Sequence, residues 1–98
     1  MLVKVYKSYR DTVAICDAEI LGKKFEESIF QLDLKENFYN GRKTSKEELI
    51  KLIRKYSKED ATFNIVGEKS VECAIESGII DRKSVKKIKG VPFALVLL

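Results

Sequence analysis

The feature that most constrains the fold is a strand-like run, "ATFNIVG", between two segments that have the apolar spacing of helices. Residues 44–58 carry an apolar stripe along one helical face, made of Leu49, Leu52, Ile53 and Tyr56. Residues 68–77 carry a shorter stripe, made of Val71, Ala74 and Ile75. A helix with one apolar face is stable when that face is covered. The pattern therefore predicts two helices packed on a sheet that contains the strand.

Capping signals predict where these helices begin and end. Thr44 with Glu47, and Ser45 with Glu48, form overlapping capping boxes, in which a hydroxyl and a carboxylate each bond the other residue's backbone N–H. The sequence leaves open which of the two boxes is used. Gly78 is expected to end the second helix, because glycine adopts the left-handed conformation without strain.

Patterns of apolar residues predict the other strands. "LVKVYK" and "TVAICD" are expected to form a hairpin with its turn near Arg10 and Asp11. "SIFQLDL" alternates, which predicts a strand with one buried face that includes Phe30. "VPFALVLL" is apolar throughout and predicts a strand buried on both faces in the interior of the sheet, with Pro92 at its start.

Two short helical elements are also expected. Asp17 is predicted to cap a single helical turn that ends at Gly22. Residues 82–88 are predicted to form a short third helix, which Gly90 breaks. The resulting order, β-β-β-α-β-α-α-β, predicts a mixed α/β (α+β) fold with a mixed or antiparallel sheet of about five strands and about two to three helices packed on it.

Length and hydropathy predict one domain, residues 1–98, because a chain of 98 residues can bury a single core without disulfides or metal. The start of the chain does not look like a secretory signal peptide, and the longest apolar run is far shorter than the roughly 20 residues of a membrane helix. These features predict a cytoplasmic protein that does not enter membranes.

The residue inventory argues against most enzyme chemistry. The chain has no histidine, which removes Ser-His and Cys-His catalysis and every histidine metal site. Its two cysteines, Cys16 and Cys73, form no CxxC pair and are expected to be buried free thiols. The candidate carboxylates, such as Asp17, Glu19 and Asp33, follow no known catalytic spacing. We therefore expect no enzyme, no metal and no cofactor.

The junction "FNIVGEKS" raises the question of a phosphate-binding loop. A Walker loop needs GxxxxGK[ST], but here Glu68 follows Gly67 and no glycine lies five residues earlier. A weaker anion or ligand site at the helix start stays open, formed by Asn64, Gly67 and Glu68. Asn64 could instead satisfy loop backbone groups, and Gly67 could simply serve a tight strand-to-helix turn.

The net charge of +4 lies entirely in residues 79–98, which hold five basic residues against one acid. The basic residues are Arg82, Lys83, Lys86, Lys87 and Lys89. On the predicted helix over 82–88 they would form a positive ridge able to meet RNA phosphates. Tyr9 and Tyr39, expected in exposed turns, could stack on unpaired bases. The alternative is a solvated charged helix with no partner.

Five blocks of the sequence resemble one family: "VKVY", "DAEILGKKFEES", "FYNG", "NIVGEKSVECAIESGIID" and "KGVP". In this order they resemble the small archaeal proteins of the domain of unknown function 424 family, over nearly the whole chain. The resemblance implies an archaeal, cytoplasmic source and no defined activity. Translation is a link by association only. A site common to the family would be sought at Gly22, Asn64, Gly67 and Glu68.

Two functions are therefore expected and kept open. The first is a small basic cytoplasmic accessory factor that binds RNA or a ribonucleoprotein. The alternative is a protein-interaction module or accessory subunit without nucleic-acid contact, for which the apolar C-terminal strand would matter if it lay at a sheet edge. Neither involves a membrane, and the sequence leaves the oligomeric state open.

Overall fold

The computed structural model describes residues 1–97. The eight strands in chain order are β1 (Leu2–Tyr6), β2 (Thr12–Cys16), β3 (Lys24–Glu27), β4 (Phe30–Asp33), β5 (Arg42–Lys43), β6 (Thr62–Val66), β7 (Lys86–Ile88) and β8 (Val91–Val96). The three α-helices are α1 (Glu36–Tyr39), α2 (Lys46–Lys58) and α3 (Glu68–Ser77). Single 3₁₀ turns cover Ala18–Ile20 and Arg82–Ser84.

Six strands form one mixed sheet, in the order β5-β1-β2-β6-β8-β7, and β3 with β4 forms a separate two-stranded sheet. Among the strands of the described chain, β2 and β6 run parallel, and the other neighbouring pairs of this sheet are antiparallel. The predicted α+β class is confirmed, with six strands in the main sheet where about five were expected. The parallel pair brings the ends of β2 and β6 together, with Cys16 opposite Val66.

The main core lies between one face of the sheet and the helices α2 and α3. Both helices supply the side chains that their spacing predicts, and the strands supply the opposite wall. Its fully buried members include Val13, Ile15, Phe63, Ile65, Leu49, Ile53 and Ala74. Burial of this apolar area stabilises the two helices, which are each too short to be stable alone. No helix in residues 1–97 is long and apolar enough to cross a membrane.

The second face of the sheet carries a smaller core, covered by the chain between β2 and β5. Leu34 and Tyr39 pack there against Cys16 and Val66. The ring of Phe38 stacks on Tyr6 at a centroid distance of 5.1 Å. Because Tyr39 is only 9% exposed, the prediction that it lies in an exposed turn is wrong.

The strand predicted in "SIFQLDL" exists but lies elsewhere than expected. It is β4, which pairs only with β3 through a turn at Ser28 and Ile29. Its first residue, Phe30, is 62% exposed, so the predicted buried face is wrong at that position. Alternation places side chains on two faces of a strand, but only the tertiary structure decides which face is covered.

The prediction of a third helix over residues 82–88 is wrong. Only a 3₁₀ turn forms at its start, and residues 86–88 are strand β7. Lys89 and Gly90 both have positive φ, +52° and +76°, and join β7 to β8 as a two-residue hairpin turn. Pairing with β8 buries Ile88 and supplies backbone partners that outweigh local helix propensity.

The C-terminal strand β8 lies between β6 and β7, as its apolar run predicts, and Pro92 is near its start. The expected burial on both faces does not extend along the whole strand. Strand β7 stops at Lys86, opposite Phe93. Beyond that point Leu95 is 58% exposed and Leu97 is 74% exposed. The second half of β8 is therefore an edge.

The start of α2 decides between the two capping boxes. Ser45 is the N-cap: its Oγ accepts from the Glu48 N–H at 3.2 Å, and Glu48 Oε1 accepts from the Ser45 N–H at 3.3 Å. Thr44 Oγ1 is buried and has no hydrogen-bond partner within residues 1–97.

We expect Ser45→Ala to lower the free energy of unfolding by about 1 kcal/mol, because a helix N–H loses its acceptor. Thr44→Val should leave stability unchanged or raise it by up to about 1 kcal/mol, because the hydroxyl it removes makes no bond. Urea unfolding followed by circular dichroism compares the two. A larger loss for Thr44→Val than for Ser45→Ala would contradict this assignment.

Candidate functional site

A buried carboxylate marks the edge where the parallel strands end. Asp17 directly follows β2 and is 5% exposed. Its Oδ2 accepts from the Lys69 N–H at 3.0 Å, and its Oδ1 accepts from the Ser70 N–H and Oγ–H at 2.8 and 2.7 Å. Gly67, the N-cap residue of α3, has no side chain that could accept these bonds. Asp17, at the end of β2, therefore caps the helix in its place.

This arrangement corrects one expectation about Asp17. Asp17 is the N-cap residue of the single turn at Ala18–Ile20, as predicted, but its side chain makes no hydrogen bond to that turn and caps α3 instead. It also bears on the predicted anion site at the start of α3. The amides of Lys69 and Ser70 already bind a carboxylate of the chain, so an external anion on them would have to displace Asp17.

The three residues predicted for that site do not come together. Gly67 and Glu68 line a hollow of about 230 Å³ beside Asp17, and the Lys69–Glu19 ion pair of 3.3 Å lies at its side.

Asn64 is not among the residues that line this hollow. Asn64 is half-buried in β6, paired across the strands with Ala14 and Leu95. Ligand binding in the hollow stays a prediction. Gly22 does not line this hollow. It lies against the Glu36 side chain, where an added Cβ would come within 3.2 Å of the carboxylate.

The five predicted basic residues are spread along an edge instead of along one helical ridge. Arg82 pairs with Glu72 through two bonds, of 2.7 and 3.1 Å, and these bonds lower the pKa of Glu72 below its ordinary value. Lys86 and Lys87 are neighbours in β7, so their side chains leave on opposite faces of the sheet.

Each face of β7 borders a depression. On the side of α3, a groove of about 390 Å³ is lined by Arg82, Lys87, Glu68 and Glu72 around an apolar floor. The structure thus brings Glu68 of the predicted helix-start site beside Arg82 and Lys87 of the predicted basic set. The groove carries both signs of charge, which does not favour a polyanion there.

A smaller hollow of about 170 Å³ lies at the tip of the β3–β4 hairpin, lined by Glu27, Phe30, Lys86, Lys87, Ile88 and Phe93. Glu27 Oε1 accepts from the Lys89 N–H at 2.7 Å and ties the hairpin to the β7–β8 turn. We call the exposed residues Phe30, Lys83, Lys86, Lys87 and Lys89 the β7 surface. Within residues 1–97, none of its four lysines makes an ion pair.

Sequence reasoning missed Asp17 as the cap of α3 and Phe30 as an exposed ring. For Asp17, the sequence does hold a usable signal: an acidic residue directly after an apolar strand can cap a helix, because strand ends meet helix starts in α/β units. The sequence holds no comparable signal for Phe30. Its exposure depends on the hairpin leaving the main sheet.

The cysteines behave as their apolar surroundings predict. Cys16 and Cys73 are both buried and free. Burial is the main cause that raises the pKa of the Cys16 thiol, to about 11, and it raises the pKa of Cys73 as well. Both therefore stay protonated near neutral pH, which makes them poor nucleophiles. Residues 1–97 hold no cluster of three or more acidic, cysteine or histidine side chains suited to a metal.

The fold and the site define a small α+β protein with a helix capped from another strand and a lysine-bearing strand at the sheet edge. The chain belongs to the family described as "Protein of unknown function (DUF424)", which it matches over residues 6–98. This confirms the resemblance seen in the sequence blocks.

A solved structure shares the fold. The crystal structure of an uncharacterized conserved protein from Methanopyrus kandleri superposes with a TM-score of 0.88 at 22% sequence identity. The match covers 97% of this chain and 88% of that chain. At this identity the likeness bears on the fold alone. A comparison with curated proteins found no match.

Proposed function

We propose that this protein is a cytoplasmic accessory factor that binds single-stranded RNA through the β7 surface, without catalysing a reaction. The observation that supports the proposal is the position of Phe30. Its ring is 62% exposed and borders the same hollow as Lys86 and Lys87. An exposed ring beside unpaired cations is the combination that single-stranded nucleic acids require.

Each part of this surface has a physical role. The lysines neutralise phosphates, and the counterions released from the RNA supply most of the binding free energy. The ring of Phe30 stacks on a base, which requires that base to be unpaired. The β7 surface has a ring that can stack on a base and lysines that can bind phosphates. The Glu27 carboxylate, which borders the same hollow, already accepts a hydrogen bond from the Lys89 N–H. We therefore expect binding with little sequence preference.

The first test replaces the ring. We expect Phe30→Ala to weaken the binding of a fluorescein-labelled oligouridine by about 1 to 3 kcal/mol, because one stacked base is lost. Fluorescence anisotropy measures the change. Tyr9→Ala is the matched control, since Tyr9 is a fully exposed aromatic in the β1–β2 turn. Equal losses for both variants, or a loss for Tyr9→Ala alone, would contradict the β7 surface.

The second test reverses the charges. Lys86→Glu with Lys87→Glu should weaken binding and reduce the slope of log K against log salt by about 1.4, at about 0.7 per lost phosphate contact. The control is Lys51→Glu with Lys55→Glu, which makes the same change of charge on the exposed face of α2. Oligouridine that does not bind at low salt would overturn the proposal.

A second candidate function, a protein-interaction module, is favoured by a separate observation. Within residues 1–97, the half of β8 beyond Phe93 has a neighbouring strand on one side only. Such edges pair with extended segments of other chains. This candidate uses Leu95 and Leu97, which lie outside the β7 surface, so the two functions are separable by mutation.

A further inference from the structure

The backbone of β8 exposes unpaired groups at Leu95. The bond from the Gly67 N–H to the Pro92 carbonyl, 2.9 Å, establishes which residues of β8 face β6. Because the pattern alternates in an antiparallel pair, Ala94 and Val96 also bond to β6, whereas Phe93 and Leu95 point the other way. Strand β7 covers Phe93 but ends before it could reach Leu95. Within residues 1–97, the Leu95 N–H and C=O therefore face no strand.

The two sides of this free edge differ in chemistry. Leu95 shares a face of β8 with Val91 and Phe93, which pack in the smaller core, and it is exposed there. Leu97, directly after β8, is exposed as well. On the face of the helices, Val96 lines an open hollow of about 560 Å³ together with Arg54, Lys58, Ser57 and Ile79. No acidic residue of the described chain lines this hollow, and neither Arg54 nor Lys58 forms an ion pair within residues 1–97.

We infer that the free edge of β8 takes an extended segment of a partner protein in which apolar and acidic residues alternate. The segment adds as a strand, and its backbone bonds to the N–H and C=O of Leu95. Side chains of an added strand alternate between the two faces. Apolar side chains meet Leu95 and Leu97, and acidic ones meet Arg54 and Lys58. This inference rests on the second candidate function and specifies the partner.

Charge complementarity selects this occupant over two others. A second copy of the chain would bring its own Arg54 and Lys58 to the same edge, and like charges oppose pairing. RNA has no amide backbone with which to continue the sheet. A segment with acidic residues satisfies both the basic hollow and the free backbone groups.

The test uses the full isotope-labelled protein and a synthetic peptide that alternates valine and glutamate. In the free protein the Leu95 amide should exchange with solvent far faster than the amides of Ala94 and Val96, which bond to β6. Addition of the peptide should slow exchange at Leu95 by tenfold or more, about the effect of one new backbone bond. A peptide that alternates valine and lysine is the control and should bind at least about tenfold more weakly.

Matched variants assign the charge contacts. Arg54→Glu with Lys58→Glu should weaken peptide binding about tenfold or more, because two cation–carboxylate contacts become repulsive. Lys51→Glu with Lys55→Glu is the control. It makes the same change of charge at two exposed positions of the same helix that do not line the hollow. It should weaken binding by no more than about threefold through long-range repulsion.

The outcomes separate this inference from RNA binding. Failure of the peptide to bind, or binding that leaves exchange at Leu95 unchanged, overturns the inference. Slow exchange at Leu95 in the protein alone, with a doubled mass in solution, overturns it in favour of a second copy. Protection of Leu95 by oligouridine overturns it in favour of RNA. The RNA proposal fails on different evidence, since it depends on Phe30, Lys86 and Lys87.

Discussion

Asp17→Ala is expected to lower the free energy of unfolding by about 3 kcal/mol. The carboxylate accepts three hydrogen bonds from Lys69 and Ser70, all in a site that is almost closed to solvent. Its removal leaves two helix N–H groups and one hydroxyl without acceptors, and bonds to a charged group are worth about 1.5 to 3 kcal/mol each before relaxation. In a domain of this size the melting temperature should fall by about 12 to 24 °C.

Thermal and urea unfolding, followed by far-ultraviolet circular dichroism, measure this loss. Asp17→Asn keeps one acceptor oxygen and should lose less than Asp17→Ala. Glu19→Ala is the matched control, because Glu19 is a nearby exposed acid whose ion pair with Lys69 is screened by solvent and should contribute little to stability. A loss for Asp17→Ala no larger than that of Glu19→Ala would show that the cap does not stabilise α3.

Gly67→Ala is expected to lower the free energy of unfolding by about 4 kcal/mol, because backbone strain and a steric clash add. Gly67 has φ +111° and ψ 154°, a region of backbone conformation that is essentially restricted to glycine. A Cβ at this position would also overlap the Asp17 carboxyl carbon and would lie 2.7 Å from both carboxyl oxygens. The carboxylate cannot move away without losing its bonds to the start of α3, so strain and clash occur together.

Two comparisons test this explanation. Gly78→Ala should cost only about 1 to 2 kcal/mol, because Gly78 has φ +92° but open space where its Cβ would lie. In a protein that already carries Asp17→Ala, Gly67→Ala should cost less than it does alone, because the clashing atoms are gone. Additive losses in the double variant, or equal losses at Gly67 and Gly78, would refute the clash.

The elements predicted correctly are those whose signals are local. The helix α2 has a complete apolar stripe and a capping box, and α3 ends at a glycine in the left-handed conformation, so both were recognisable from spacing alone. The strands β1, β2 and β6 were recognised for the same reason. Charge and the lack of histidine also follow directly from composition.

The errors occur where two local patterns compete and a distant segment decides. Residues 82–88 have apolar side chains at Val85 and Ile88, a spacing that suits a helix. The same stretch can also form a strand, and β8 lies beside it to supply hydrogen bonds. Phe30 was misplaced for a related reason: its strand pairs with β3 and not with the main sheet. Neither choice is encoded within the segment itself.

The residues of the candidate site could be predicted from the sequence less well than the fold could. By itself, the sequence determined that helices pack on a sheet, that the two thiols are buried and where the positive charge lies, because each follows from local periodicity or from counting. It left a mixed and an antiparallel sheet both open. Only the tertiary structure decided that Asp17 caps a helix more than 50 residues away, that the lysines follow an edge strand, and that β8 is half covered. Those facts depend on which segments become neighbours in space, and that is a property of long-range pairing and packing.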